Sequence, residues 1–474
     1  MAGREMIRVL SVTSECAPLV KTGGLADVAG ALPGALAPLG VEMRTLLPGY
    51  PRVMAAVGRG KAVLEDPDLF GGPARVIAAR AGGLDLLVLD APHLFGREGA
   101  PYNGPDGRDW PDNPERFAAL GWVAAEIAGG ALTDWQPQVL HCHDWQAGLA
   151  PWYLRDRHPQ APVGSVLTIH NIAFQGLAPG DRLARLRLPP DGMTPGGFEY
   201  WGNISALKAG LVAADRITTV SPTYADELLT PEFGMGMEGV LRARQDVLSG
   251  ILNGVDLDAW TPSYKTPAGK RRYTARLRAA MGLPAADGPL CVVVSRLTHQ
   301  KGLDLLLEAL PRLLDEGGQL ALLGSGEPGL EAAFRTAAAR HPGVAVTFGY
   351  DEALARLLIE GGDAILVPSR FEPCGLTQLY GLRFGTLPLV AYTGGLADTV
   401  IDASPAGLRA GVATGVQFHP VSAAALSRAF DRLCALYRQP DLWLRMQRNA
   451  MRHPVGWDQS AAEYAALYDG LIRT

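Results

Sequence analysis

Apolar and polar residues follow a two-part rhythm along this chain. Short, nearly uninterrupted apolar runs fall at 8–14, 45–47, 84–90, 139–143, 163–170, 216–220 and 247–252. Longer Ala- and Leu-rich stretches lie between them, such as 117–129, where apolar residues recur at helical spacing. The stretch 261–269, rich in Pro, Ser, Gly and Lys, has no period and reads as a linker. The rhythm then restarts, with runs at 290–295, 319–324, 344–349, 364–367, 387–391 and 415–418. Strands alternating with helices predict a doubly wound parallel sheet in each half. Such sheets bind ligands at the carboxyl ends of their strands, so chemistry is expected just after each run. After His453-Pro454 a last helical pattern (Ala461, Tyr464, Leu467, Tyr468, Leu471) either caps the second half or returns to the first.

The hexapeptide Thr-Gly-Gly-Leu-Ala-Asp occurs twice, at 22–27 and 393–398, each time after an apolar run. A strand feeding a glycine pair that opens a helix presents backbone N–H groups to an anion. One such loop in each half predicts two similar α/β domains facing each other across a ligand cleft. Lys21, beside the first copy, adds a cation suited to a diphosphate or sugar phosphate.

Length and composition narrow the class. A chain of 474 residues is too long for one ordinary core and predicts two domains of roughly 200–250 residues. A formal net charge of −5, with no Lys/Arg block, argues against a nucleic-acid partner. The short cluster Lys270-Arg271-Arg272 reads as a solvated helix start. No apolar run reaches the ~18 residues of a bilayer span, and the N-terminus enters a strand without signal-peptide architecture. Cys16, Cys142, Cys291, Cys374 and Cys434 are scattered and form no CxxC pair, which fits reduced thiols in the cytoplasm.

The second half carries the densest candidate chemistry. Arg296 and Lys301 follow a run and open a helix, where two cations suit a departing diphosphate. Glu372, before Pro373 at a loop tip, can accept hydrogen bonds from sugar hydroxyls. In the first half, Asp144 and Trp145 lie just past a strand end, and His170-Asn171 closes another. The stretch 324–329 matches G-x-G-x-x-G, but Pro328 is awkward for a dinucleotide helix and no acidic ribose partner follows at the usual distance. No dinucleotide cofactor is expected. His141-Cys142-His143-Asp144 resembles a metal cluster; on a strand, however, His141 and His143 share a face that Cys142 does not. The pairs Asp66/Asp68 and Asp256/Asp258 are turn-like, so no metal is expected either.

These residues together resemble bacterial glycogen synthases, the ADP-glucose-using transferases of glycosyltransferase family 5 that are similar to plant starch synthases. The resemblance rests on KTGGLADVAGALP at 21–33, HCHDWQAGL at 141–149, TIHNIAFQG at 168–176, ILNGVD at 251–256, SRLTHQKG at 295–302, EPCGLTQ at 372–378 and YTGGLADTV at 392–400. It implies a GT-B fold, two Rossmann-like doubly wound domains facing across a deep interdomain cleft. The domains would be 1–252, completed by a crossover helix at 457–474, and 253–456. It further implies that Lys21 and Gly24 sit at the donor diphosphate, with Gly394 and Gly395 opposite. Arg296 and Lys301 would bind the ADP phosphates, and Glu372 the 3- and 4-hydroxyl side of the glucose, near Cys374 and Gly375. His170 would lie beside the reacting sugar, Glu15, Asp144, Trp145 and Asn171 on the acceptor side, and Tyr350 by the adenine. Asn253, within ILNGVD, joins the substrate-binding positions. No cofactor is implied, and the expected partners are ADP-glucose and an α-1,4-glucan. One departure is Pro454-Val455-Gly456 before Trp457-Asp458, where the family usually has an aromatic and a serine; the crossover is expected to differ locally there.

Two other classes are distinguishable. A phosphorylase would need pyridoxal phosphate on a buried lysine, and no lysine follows Lys301. A non-catalytic glucan binder would have lost the two cations and Glu372.

Overall fold

The central strands are buried at every position because both of their faces are covered. Val139–His143, Gln319–Gly324 and Leu387–Ala391 are buried along their whole length, the pattern of parallel strands with helices on either side. The computed structural model describes residues 6–473, and internal contacts divide the chain into two units. One contains the chain up to Val220, Ala225–Gly254 and the segment from Trp457 onward. The other contains Ser221–Tyr224 and Val255–Gly456.

The first unit is built on a nine-stranded sheet. Across it the order is Leu248–Gly250, Arg216–Thr219, Gly164–Ile169, Val139–His143, Ile7–Val12, Val41–Pro48, Leu84–Asp90, Ala74–Ala81 and Lys61–Asp66. The first seven run parallel. The last two pair antiparallel, so the sheet is mixed rather than wholly parallel as expected. Ala74–Ala81 is rich in alanine and arginine, and Lys61–Asp66 is half charged. Neither makes the apolar run that marked the other strands. Ile7–Val12 lies between Val41–Pro48, which follows it, and Val139–His143, which comes much later. That reversal of direction is a topological switch point.

The second unit has six parallel strands in the order Val344–Phe348, Gln319–Gly324, Leu290–Val294, Ala364–Val367, Leu387–Ala391 and Val416–Phe418. Counted along the chain, this is the 3-2-1-4-5-6 order of the Rossmann fold, with its switch point between Leu290–Val294 and Ala364–Val367. Helix Leu303–Asp315 buries Leu303, Leu306, Leu310 and Leu313 on one face, packed with Phe430 and Leu433 of helix Ala423–Tyr437. The C-terminal helix Asp458–Ile472 buries Ala461, Tyr464, Tyr468 and Leu471 against Val9, Val28, Leu32, Val139 and Val166 of the first unit. Each large apolar side chain buried this way stabilises the docked helix by about 1.5–3 kcal/mol. Just before this helix, Val455 is buried and its carbonyl accepts a hydrogen bond from Val255 N–H.

Three local expectations change. The stretch 261–269 is no linker: it lies inside the second unit, Tyr264 is buried, and helix Pro267–Met281 begins within it. Pro328 is the first residue of helix Pro328–Arg340, where a missing N–H costs nothing, so the objection drawn from it fails. Packing accounts for the glycines there instead. A Cβ on Gly324 would lie 1.9 Å from the Ser295 carbonyl oxygen, and one on Gly326 2.2 Å from that of Leu297. Lys270, expected in solvent, is buried and donates to the Glu360 carbonyl (2.7 Å) and to Thr386 Oγ1 (2.6 Å).

Burial pulls the Lys270 pKa down to about 7, while an unfolded lysine stays near ~10.4. Between these values the unfolded chain binds more protons, so this lysine's contribution to stability is present at high pH and is lost as pH falls toward 7. The stability of the chain minus that of a Lys270→Met variant is therefore expected to rise from about pH 7 to about pH 10 in denaturant melts. A flat difference over that window would contradict a neutralised ammonium.

Candidate active site

At the switch point of the second unit two loops leave adjacent strand ends. The first follows Leu290–Val294, passes Arg296 and turns through His299–Lys301 into helix Leu303–Asp315. Gly302 makes that turn with φ +65°, and a Cβ there would lie 1.9 Å from the Pro368 carbonyl oxygen. Only glycine lets this loop close onto the second one, which follows Ala364–Val367. Arg370 stitches the two together with a bidentate pair to Asp304 (2.7 and 2.6 Å) and a bond to the His299 carbonyl (2.6 Å). Lys301 Nζ is thereby placed 2.6 Å from Glu372 Oε2, which also accepts from Ser369 Oγ at 2.8 Å. The side chains of Lys301 and Glu372 are 18% and 10% exposed. A cation and a carboxylate thus stand together, largely desolvated, at the N-terminus of a 13-residue helix whose dipole favours negative charge. Arg296 is exposed, and among the described residues its guanidinium has no partner.

The second glycine pair packs closely against the Glu372 loop. Gly394 has φ +43°, and a Cβ on it would lie 2.1 Å from the Glu372 carbonyl oxygen; one on Gly395 would lie 2.2 Å from that of Cys374. Gly395 N–H donates to the carbonyls of both Glu372 and Pro373, at 3.1 Å each. These glycines bring a helix backbone up against the Glu372 loop. Cys374 is buried, and Gly375 turns the loop with φ +72°. The amide nitrogen of Gln378 donates to the carbonyls of both (2.9 Å each).

In the first unit the anion at the glycine loop is the chain's own. Glu15, just past Ile7–Val12, is buried, and its carboxylate accepts from Thr22 N–H, Gly23 N–H (3.2 Å), Thr22 Oγ1 (2.6 Å) and the Tyr102 hydroxyl. Helix Gly24–Leu36 thus begins over a fixed negative charge. Lys21 pairs with Asp27 at 2.7 Å, with half its side chain in solvent.

The neighbouring strand ends carry a chain of imidazoles. His170 Nε2 lies 3.0 Å from His143 Nδ1, and His143 Nε2 lies 3.1 Å from Ser11 Oγ. His141 is held between the Tyr468 hydroxyl (2.7 Å) and Thr168 Oγ1 (2.6 Å). Both of its ring nitrogens, and both of His143's, therefore have protein partners. Burial lowers the pKa of all three, His143 to about 3, so the rings are neutral. Asp144 caps the strand with φ +55° and ψ −168°, a conformation costly for any residue but glycine. Its Oδ1 accepts from the N–H groups of His170 (2.7 Å) and Asn171 (3.3 Å). Burial pushes its pKa up to about 7; those two bonds act against the rise and the Glu15 charge adds to it. Trp145 packs edge-on to Phe117 at 5.0 Å.

The structure therefore brings together Lys301, Glu372, Cys374, Gly375, Gly394 and Gly395 in one unit. In the other it gathers Glu15 with the loop holding Lys21 and Gly24, and Asp144 with His170 and Asn171. Tyr350 is 90% exposed beyond Gly349. Asn253 is buried, and among the described residues its Oδ1 has no hydrogen-bond partner. Sequence reasoning missed Ser369, Arg370 and Tyr102. The first two adjoin the Glu372 motif and could have been drawn in by it. Tyr102 sits in an irregular loop with no periodic signal.

Two Rossmann-like units with polar groups at the strand ends beside each switch point are the architecture of a GT-B glycosyltransferase, the class that the family matches bear out. A family model described as the starch synthase catalytic domain matches residues 8–243, and one described as glycosyl transferases group 1 matches 281–452. A glycogen synthase of Paracoccus denitrificans is 69% identical over 98% of this chain and 100% of its own length, and one of Jannaschia sp. is 59% identical over 99% and 100%. The chain belongs to the glycogen synthase family. Among solved structures, the catalytic domain of starch synthase IV from Arabidopsis thaliana, bound to ADP and acarbose, superposes with a TM-score of 0.87 at 29% identity, covering 99% of this chain and 100% of that one. Sucrose-phosphate synthase from Thermosynechococcus elongatus shares the fold, with a TM-score of 0.60 at 20% identity over 98% and 99% of the two chains.

The strain at Asp144 yields a test. Asp144→Gly relieves the backbone and removes the two hydrogen bonds, terms of about 1–3 kcal/mol each that oppose one another. The melting temperature is expected to move little, while turnover falls about tenfold or more because His170 and Asn171 lose their anchor. A variant that keeps full turnover would remove Asp144 from the site.

Proposed function

We propose that this chain transfers α-D-glucose from ADP-glucose to the 4-hydroxyl at the non-reducing end of an α-1,4-glucan, with retention, as a step of glycogen synthesis. The observation that carries the reading is the Lys301–Glu372 pair at a helix N-terminus on the second unit's switch point. Lys301, with Arg296 nearby in the chain, stabilises the negative charge that develops on departing ADP. Glu372 directs its carboxylate to the 3- and 4-hydroxyls of the glucose. Cys374, Gly375, Gly394 and Gly395 line the donor side, with Tyr350 by the adenine. Lys21 and Gly24 face the diphosphate. Glu15, Asp144, Trp145 and Asn171 serve the acceptor side, Asn253 is a further substrate-binding position, and neutral His170 lies beside the reacting sugar.

Retention by double displacement needs a free carboxylate nucleophile. The buried carboxylates near these strand ends are engaged: Glu372 with Lys301 and Ser369, Glu15 with its loop, Asp144 with two backbone N–H groups. This supports a front-face route. The bond from C1 to the phosphate oxygen breaks, the bond from C1 to the acceptor O4 forms on the same face, and the hydroxyl proton passes to the leaving phosphate oxygen. Among the described residues no helix is long and apolar enough to cross a membrane. Among the described residues the five cysteines are buried and form no disulfide, which supports a cytoplasmic setting.

The test is incorporation of labelled glucose into glycogen from ADP-glucose and UDP-glucose side by side, with and without EDTA. Incorporation from ADP-glucose, insensitive to EDTA, is expected; a preference for UDP-glucose would overturn the donor. Lys301→Ala should lower turnover by ~10²-fold or more, since it removes charge stabilisation from the transition state and strips Glu372 of its counterion. Near-normal turnover in that variant would sink the role given to Lys301.

A further inference from the structure

The two copies of the repeated hexapeptide use their aspartates differently. Asp27 of the first pairs with Lys21. Asp398 of the second reaches outside its own loop: Oδ2 accepts from Thr223 N–H at 2.8 Å and Oδ1 from Thr223 Oγ1 at 2.6 Å. Thr223 belongs to the four residues Ser221–Tyr224, which pack with the second unit although the chain on both sides of them belongs to the first. Two residues before it, buried Ser221 donates from Oγ to the Pro373 carbonyl at 2.6 Å and accepts from Tyr224 N–H at 3.2 Å.

These bonds close a ring. Ser221 holds the Pro373 carbonyl, and Gly395 N–H holds that carbonyl together with the Glu372 carbonyl. Gly395 and Asp398 share the helix Gly394–Thr399, and Asp398 returns to Thr223. The backbone that carries Glu372 is thus fixed from two sides, both anchored in Ser221–Thr223. We infer that Ser221 and Thr223 are positioning residues for the donor sugar: through Pro373 and Asp398 they set the place from which Glu372 meets the glucose. This rests on the reading of Glu372 as the residue that meets the glucose hydroxyls.

The consequence separates the sugar from its nucleotide. If the ring serves Glu372, loosening it weakens binding of ADP-glucose and spares ADP, which carries no glucose. A general loss of structure would weaken both. The experiment is calorimetric titration of ADP and of ADP-glucose, without acceptor, into the full chain and into Thr223→Val, Ser221→Ala and Thr223→Ser. Thr223→Val keeps the shape and loses the hydroxyl, whereas Thr223→Ser retains both donors to Asp398. Thr223→Val and Ser221→Ala are each expected to weaken ADP-glucose about tenfold, the scale of a lost hydrogen bond to a charged or buried group, and to weaken ADP less than about twofold. Thr223→Ser should restore the parent value. Equal weakening of both ligands, or of neither, would overturn the inference. Should Thr223→Val not fold, Ser221→Ala decides by the same criterion. Glu372→Gln serves as the reference: if it too leaves ADP-glucose unweakened relative to ADP, the reading of Glu372 falls, and the inference with it. If Glu372→Gln discriminates while the ring variants do not, only the inference falls.

Discussion

A parallel strand covered by helices on both faces can offer a ligand only its ends, and in open α/β sheets it is the carboxyl ends that do so. That constraint organises this molecule. At each switch point the chain departs from neighbouring strand ends in opposite directions, and the opening left there is the one place where side chains and backbone N–H groups converge without being buried by a crossover. In the second unit the opening is framed by the loops carrying Lys301 and Glu372. In the first it is framed by those carrying Glu15 and Asp144, with His170 on the next strand.

Close backbone approach seats these loops against one another. Gly302 against Pro368, Gly394 against Glu372, and Gly395 against Cys374 are contacts that no side chain would permit. The same holds for Gly324 and Gly326, whose spacing resembles a dinucleotide fingerprint but whose role is to seat one loop on another. Glycine-rich sequence at a strand end therefore has two physical meanings, a ligand close to the backbone or a second backbone close to it. In the contacts within this chain, the second meaning accounts for most of its motif glycines.

Charge is handled with similar economy. Buried imidazoles are kept neutral and given hydroxyl, imidazole or phenol partners. Glu15 neutralises a helix start, and Lys301 stands against Glu372. Lys301, Glu372 and Glu15 each have a partner within the chain, so introducing a ligand there exchanges one set of hydrogen bonds for another rather than exposing an unpaired charge to a low-dielectric interior. Where burial outweighs the neighbouring charges a group shifts its pKa instead, as Lys270 does among carbonyl and hydroxyl acceptors.

The sequence by itself determined the elements and the class: apolar runs of strand length separated by helical stretches, a repeated hexapeptide, and motifs whose order and spacing match one family along nearly the whole chain. Those features are local, set by periodicity and by which residues tolerate a turn, and so they are legible one segment at a time. Tertiary structure alone decided how the marked residues are used. That Lys301 meets Glu372, that Glu15 occupies the first glycine loop, that Lys270 is buried and that Asp398 holds Thr223 all depend on strand order and on contacts between residues up to 175 positions apart. The antiparallel edge of the first sheet was hidden for a related reason. Its outer strands are marginal in sequence and gain their pairing from the neighbour beside them, so nothing local distinguishes them from loop.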